Sequence, residues 1–421
     1  MLLFRFFSVL LLLLPLPVWA QSSTQPAARL ESVRVTGSRF QSDQIAPATG
    51  LHTGDQVTRD DIQKGADALA ASGLFSKVQY RFDTEPAGVR VSYEVEDATS
   101  FPAYFDNFPW FTDADLIAAI KTSVHLFDGK VPDHGSILDD VAGAIGRQLI
   151  TRGVAANVTH EFVTLPGKDW PVVRFRADNI ALNIERVEFS DALATNDHAI
   201  QDRLTDLVGK PFSRTAVEAF EYEQVRPIYL AHAFLEAKFG EPAATVEGKT
   251  VKVRVPIDPG RAFTWGGVSW NGNQALPSTE LDQLIELNPG GQADGMKLEA
   301  SWEDVRKMYH RLGYLDLSMS VSPRFDSATG RARYEVTFQE GPQYHMGNLV
   351  LTGLSMEGER RIRSGWKIPT GAVFNEAAYD DFVNTGIKQS FAGLPVHYEK
   401  IGRFLQKDPA GAKVDVMIDF Q

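Results

Sequence analysis

Cysteine is absent from all 421 residues. No disulfide framework can staple this chain, so each folded part must stand on its own hydrophobic core. The same absence speaks against a cysteine-acylated lipoprotein. Basic residues are in the minority, with 42 Lys and Arg against 54 Asp and Glu and a net charge of −12. A surface built broadly for phosphates needs clustered cations, so nucleic acid is not an expected partner. A long apolar run occurs once, in the opening MLLFRFFSVLLLLLPLPVWA, where Arg5 precedes the stretch from Phe6 to Val18 and Ala20 closes it. Pro15 and Pro17 interrupt that run. The layout predicts a signal peptide cleaved after Ala20 rather than a membrane span. Export without cysteine makes the bacterial periplasm the expected compartment.

Motifs of catalysis are also lacking. There is no HExxH zinc signature, no P-loop and no nucleotide-type GxGxxG. His160–Glu161 lacks helical ligand spacing, and Asp60–Asp61 and Asp380–Asp381 sit early in helical segments, where acids favour the helix dipole. The letters NVT at 157–159 form a glycosylation sequon that means little in a bacterium. The sequence assigns no catalytic, cofactor-binding or metal-binding residue, and no small-molecule substrate.

What the chain does contain is a repeat. LAASGLFSKV (69–78) recurs as LITRGVAANV (149–158), LAHAFLEAKF (230–239), YHRLGYLDLS (309–318) and QSFAGLPVHY (389–398). Its marker positions, Gly73, Gly153, Phe234, Gly313 and Gly393, follow at intervals of 80, 81, 79 and 80. A second glycine precedes the later helical run in each copy, at Gly54, Gly129, Gly209, Gly291 and Gly371. Each copy opens with a short extended run, such as Val33 and Val35, or Leu349 and Leu351. A helical segment follows, with N-caps expected at Thr112, Asn196 and Ser278. A second helix is expected to start near Thr58, Ser213 or Asn375, and in the first copy Ile62, Ala66 and Leu69 share one face. The marker glycine suits the left-handed residue past a helix C-terminus. Two strands of period two then close the copy, as in Val89, Val91, Tyr93 and Val95.

The reading is therefore α+β, a tandem array of five β-α-α-β-β units. Each is a three-stranded mixed sheet covered on one face by two helices. The expected boundaries are a signal peptide at 1–20, a linker at 21–28, and repeats at 29–97, 98–179, 180–259, 260–341 and 342–421. Burial of the opening strand requires it to lie beside the last one. The strand after the marker glycine is then a sheet edge in every repeat.

LAASGLFSKV, the closing VSYEVED and VTFQEGPQY, and the openings VRVTG, VSWNG and LVLTG resemble POTRA (polypeptide-transport-associated) domains. A row of five resembles the periplasmic arm of BamA-type outer-membrane assembly factors. The chain closes on VDVMIDFQ, the last strand of the fifth repeat, so the expectation is an arm without a barrel. The resemblance implies a periplasmic protein peripheral to the outer membrane. Its implied partners are unfolded or nascent outer-membrane proteins and components of an assembly complex. An edge strand offers unpaired N–H and C=O groups to an extended client. The candidate contact residues are Val78, Tyr80 and Phe82, then Val158 and Phe162, then Leu317, Met319 and Val321. These residues also fit as filling of their own cores, so the expectation rests on the edge backbone more than on the side chains. A structural module binding folded partners in a secretion or cell-division complex is the alternative. FPAYFDNFPWF (101–111) reads either as an exposed partner patch or as a buried opening strand.

Overall fold

The computed structural model describes residues 27–180, 182–393 and 398–421. The expected signal peptide and its cleavage site lie outside the described residues. The chain divides into two compact units after Ile180.

The first unit holds two four-stranded sheets. Strands β1 (Ala28–Thr36), β2 (Gln56–Val57), β3 (Phe75–Glu85) and β4 (Gly88–Asp97) are ordered β2-β1-β4-β3. Strands β5 (Phe101–Phe105), β6 (Lys130–Val131), β7 (Val158–Thr164) and β8 (Pro171–Ala177) are ordered β6-β5-β8-β7. The opening strand runs parallel to the closing strand, which pairs antiparallel with the strand before it. A parallel neighbour needs a long crossover, and the helices supply it. The three-stranded expectation is corrected here by β2 and β6. Two residues are too few to show a period in sequence.

The second unit holds three three-stranded sheets of the same order. The first contains β9 (Asn183–Phe189), with β10 (Lys238–Phe239), β11 (Ala243–Glu247), β12 (Thr250–Val255) and β13 (Ile257–Asp258) following along the chain. Its order is β11-β12-β9, while β10 and β13 form a separate ribbon. Pro256 lacks an N–H and divides the closing strand into β12 and β13. The next sheet joins β14 (Thr264–Asn271), β15 (Ser318–Asp326) and β16 (Arg331–Gln339) as β14-β16-β15. The last joins β17 (His345–Thr352), β18 (Ile401–Asp408) and β19 (Lys413–Phe420) as β17-β19-β18.

One segment shows why these residues fold so. The Thr58 hydroxyl accepts a bond from Asp61 N–H, and the Asp61 carboxylate accepts from Thr58 N–H at 3.0 Å, closing a capping box. The helix Arg59–Ala71 then buries Ile62, Ala66 and Leu69 against Val89, Val91, Tyr93 and Val95. Tyr93 donates its hydroxyl to Ile62 O at 2.8 Å, and a Cβ on Gly65 would lie 2.5 Å from that hydroxyl. The helix therefore sits unusually close to the sheet. Gly73 at φ +77° ends it, and the strand period begins at Phe75.

The shared openings have a cause as well. Gly37, Gly272 and Gly353 all take positive φ, and a Cβ on each would clash with the closing strand, at 2.1, 2.5 and 1.8 Å from a carbonyl oxygen. Only glycine permits that crossing.

Several local expectations are corrected. The left-handed residue of the third copy is Ala233 at φ +62°, not Phe234. Asp191 and Asp197 cap the helices around 192–203, where Asn196 was expected. Pro277 precedes the helix for which Ser278 was expected as cap. Thr112 caps its helix as expected, and the second helices start where expected, with Thr58, Ser213 and Asn375 as their caps. FPAYFDNFPWF is the buried strand rather than an exposed patch: Tyr104, Phe105, Asp106, Asn107 and Phe108 are all buried. The Asn107 side chain bonds both backbone groups of Ala177 at 2.8 Å, which satisfies that buried amide.

Successive sheets within a unit are bonded to each other. In the first unit, Ser136 N–H donates to Ala71 O at 2.9 Å, and one core cluster runs through both sheets. In the second, Phe263 N–H donates to Ala233 O at 2.9 Å and Tyr344 N–H to Gly313 O at 2.8 Å. The left-handed residue thus both ends its helix and anchors the next sheet. His310 Nδ1 and a Glu376 oxygen lie 2.5 Å apart, and Asp316 accepts from Tyr344 at 2.5 Å while pairing with Lys407.

Candidate binding edges

In all five main sheets the strand after the left-handed residue has one neighbour and one open side. These edges are β3, β7, β11, β15 and β18, of 11, 7, 5, 9 and 8 residues. The opposite edge is β2 or β6 in the first unit. In the second unit it is the opening strand, which carries a single bridge to Pro211, Gln292 or Val373.

The five open sides differ in chemistry. β3 is the longest and contains no proline, so its donor row is unbroken. Val78 and Tyr80 are half-buried against the core and border a groove with Gln63 and Ala66 of the adjacent helix. Tyr80 donates its hydroxyl to Gln63 at 2.9 Å, which fixes the wall of that groove. Phe82, farther along, is 37% exposed. Charged pairs flank the strand: Lys77 meets Glu96 at 2.8 Å across the hairpin, and that carboxylate holds the Lys77 ammonium above its usual range. Such charges deter uncontrolled edge-to-edge association.

On β7, Val158 is buried in the core, whereas Phe162 is 44% exposed and packs edge-on to Phe101 with centroids 4.7 Å apart. His160 faces Asp139 at 3.2 Å and Glu161 pairs with Arg174 at 2.6 Å, so both serve ordinary surface contacts. On the fourth sheet Met319 and Val321 are half-buried against the core, but Leu317 lies one residue before β15 and is not a strand residue. Pro323 within β15 lacks an N–H and shortens what that strand offers.

The fifth edge holds a feature the sequence reading missed. Phe404 on β18 is 61% exposed. It stands opposite Met417 on β19, which pairs with Val350 on β17, making an apolar row across the face away from the helices. The signal was present, since Phe404 is a lone aromatic at an outward position between Ile401 and Leu405. Part of the expected edge, residues 394–397, lies outside the described residues.

Among the described residues no group of three or more His, Asp or Glu gathers as a metal site, and no helix is long and apolar enough to cross a membrane. The geometry offers hydrogen-bonding edges and grooves.

The POTRA family model, described as surface antigen variable number repeat, matches residues 28–98 and 263–341. A putative outer membrane protein assembly factor of Treponema pallidum is 22% identical over 47% of this chain and 25% of its own length. The outer membrane protein assembly factor BamA of Neisseria meningitidis is 22% identical over 34% of this chain and 19% of its own. The matches thus span about a quarter or less of those relatives. Among solved structures, Haemophilus influenzae BamA POTRA3-5 aligns with 57% of this chain and 96% of its own at 14% identity and a TM-score of 0.42. POTRA1-3 of Anabaena Omp85 aligns with 94% and 96% at 13% identity and a TM-score of 0.22. Residues 28–98 and 263–341 thus match POTRA domains, and the chain is similar to outer-membrane assembly factors over part of its length.

Proposed function

We propose that the protein is a non-catalytic periplasmic binding protein of outer-membrane protein assembly. It holds extended segments of unfolded outer-membrane proteins as added strands on its sheet edges. The observation that carries this reading is the open side of β3, an eleven-residue strand without proline, bordered by the groove at Val78 and Tyr80. Main-chain bonds there are almost independent of client sequence, so one edge serves many β-rich clients. Side chains at alternate positions add selectivity. The similarity to assembly factors supports the class of client. The five-repeat division at the boundaries given above is part of the same proposal.

Docking of folded partners, as in a scaffold of a secretion or cell-division complex, is the second reading. The row of Val350, half-buried Met417 and Phe404, exposed at both ends, favours it, because an apolar row on a flat sheet face suits a folded surface better than a single strand.

Proline substitution separates the two. Neighbouring residues of an edge strand direct N–H groups alternately inward and outward. Gln79→Pro and Tyr80→Pro are therefore made as a pair, with Tyr80→Ala as the side-chain control. One proline breaks the internal ladder and lowers stability. The other leaves the fold standing and reduces crosslinking of an unfolded outer-membrane protein to β3. If both prolines leave crosslinking intact while Phe404→Ser abolishes capture, the scaffold reading replaces the edge reading.

A further inference from the structure

The hairpin of β15 and β16 carries a charge arrangement that edge pairing does not use. Arg324 and Arg333 stand directly opposite each other in the ladder, and Arg331 follows on the same face. Like charges in register are unfavourable in isolation. The nearby acids offset them only in part, with Asp326 directly opposite Arg331 in the ladder. Asp326 is engaged by its own turn, accepting from Ala328 N–H at 2.9 Å, Thr329 N–H at 3.1 Å and the Thr329 hydroxyl at 2.5 Å. Glu335 pairs with Arg324 at 3.4 Å. Arg331 and Arg333 have no carboxylate partner among the described residues. Arg261 adds a further guanidinium behind the turn, where it donates to Ser327 O. The stem of Arg333 lies over Gly266, where a Cβ would come within 2.8 Å of its Cγ. The helix Met356–Gly365 provides a contrast: its Arg360, Arg361 and Arg363 each bond Glu357 or Glu359 one turn away.

We propose that this hairpin docks the protein on a membrane surface bearing anionic phospholipid headgroups. The exposure of the cluster selects a surface over a solitary ion. The Arg324 side chain is 68% exposed, and Arg331 and Arg333 are also exposed beside a shallow groove at Pro323 and Phe325. A single phosphate held there would gain only what exposed ion pairs gain, which is little. A membrane presents many headgroups at once, and each arginine near it contributes independently. The net charge of −12 repels the rest of the chain from such a surface, so the hairpin would also set the orientation of approach.

The test is flotation of the full chain with vesicles of phosphatidylethanolamine, with and without phosphatidylglycerol. Binding is expected only with phosphatidylglycerol, falling as salt is raised. The triple variant Arg324→Gln, Arg331→Gln, Arg333→Gln should bind on the order of a hundredfold more weakly, about fivefold per arginine. Lysine at the same three positions should restore binding, which also shows that the site tolerates substitution. Glutamine at Arg360, Arg361 and Arg363 should leave binding unchanged. Equal binding by the parent and the glutamine triple overturns the proposal. So does equal binding to vesicles without phosphatidylglycerol. So does failure of lysine to restore binding, or arginine-dependent binding of soluble pyrophosphate or polyglutamate as tight as that of vesicles. The glutamine triple should leave client crosslinking at β3 unchanged, since none of the three arginines lines the groove there.

Discussion

Gly73 and Gly153 hold the same place in consecutive repeats and nearly the same backbone angle, φ +77° and +74°. Their surroundings differ. A Cβ on Gly153 would meet nothing within 4 Å, whereas one on Gly73 would lie 2.0 Å from His134 O. Gly153→Ala therefore costs only the left-handed strain, about 1–2 kcal/mol, less about 0.4–1 kcal/mol from a stiffer unfolded chain. Gly73→Ala adds displacement of the 134–137 backbone. That loses the bonds from Ser136 N–H to Ala71 O at 2.9 Å and from Ile137 N–H to Ser72 O at 3.4 Å. At about 1 kcal/mol for each bond, the total is about 3 kcal/mol. The assay is amide exchange by mass spectrometry, since a chain of several domains has no single unfolding free energy. Gly73→Ala should speed exchange in the helix Arg59–Ala71 by about thirtyfold more than Gly153→Ala speeds it in the helix Ile137–Thr151. Equal effects would show that the first two sheets do not pack together through Gly73.

Other consequences are as direct. Thr58→Ala removes a cap and should destabilise the first repeat by about 1 kcal/mol in denaturant unfolding. The bond from Thr58 holds the Asp61 carboxyl below its ordinary value, so its contribution is complete above that ordinary value and is lost as pH falls through the lowered one. Nuclear magnetic resonance titration should find that depression reduced in Thr58→Ala, which keeps only the backbone N–H bond and the nearby Lys64. Tyr93→Phe should cost about 1 kcal/mol by removing the bond to Ile62 O, with no change in client crosslinking. Asp316→Ala leaves the buried Tyr344 hydroxyl without its acceptor and should destabilise the last two sheets by about 1–3 kcal/mol, read by exchange in β17 and β19.

Much of the fold is legible because the repeat multiplies weak signals. The change of period at Gly73, the alternation of Val89 to Val95 and the opening glycines each speak for a physical constraint that recurs. The strand order follows from one argument, that the opening strand must lie beside the closing strand to be buried. What sequence did not reveal is local. Ala233 takes a left-handed angle while fully buried, because the carbonyl it turns must receive Phe263 N–H from the next sheet. That demand is tertiary and leaves no mark at position 233. Val158, by contrast, is packed inward as the core-filling reading of the edge side chains allowed. Phe404 is hard to read in sequence because it sits next to another apolar residue, Leu405, on a strand that starts only at Ile401.

The central claim is that open edges receive strands. It is tested most directly by amide exchange on the full chain with and without a saturating unfolded outer-membrane protein. The account expects slower exchange along Phe75–Glu85, at alternate residues, with other edges following in order of length and freedom from proline. Saturation that leaves those amides exchanging at their free rate, with protection confined to helices or to the face bearing Phe404, would contradict it.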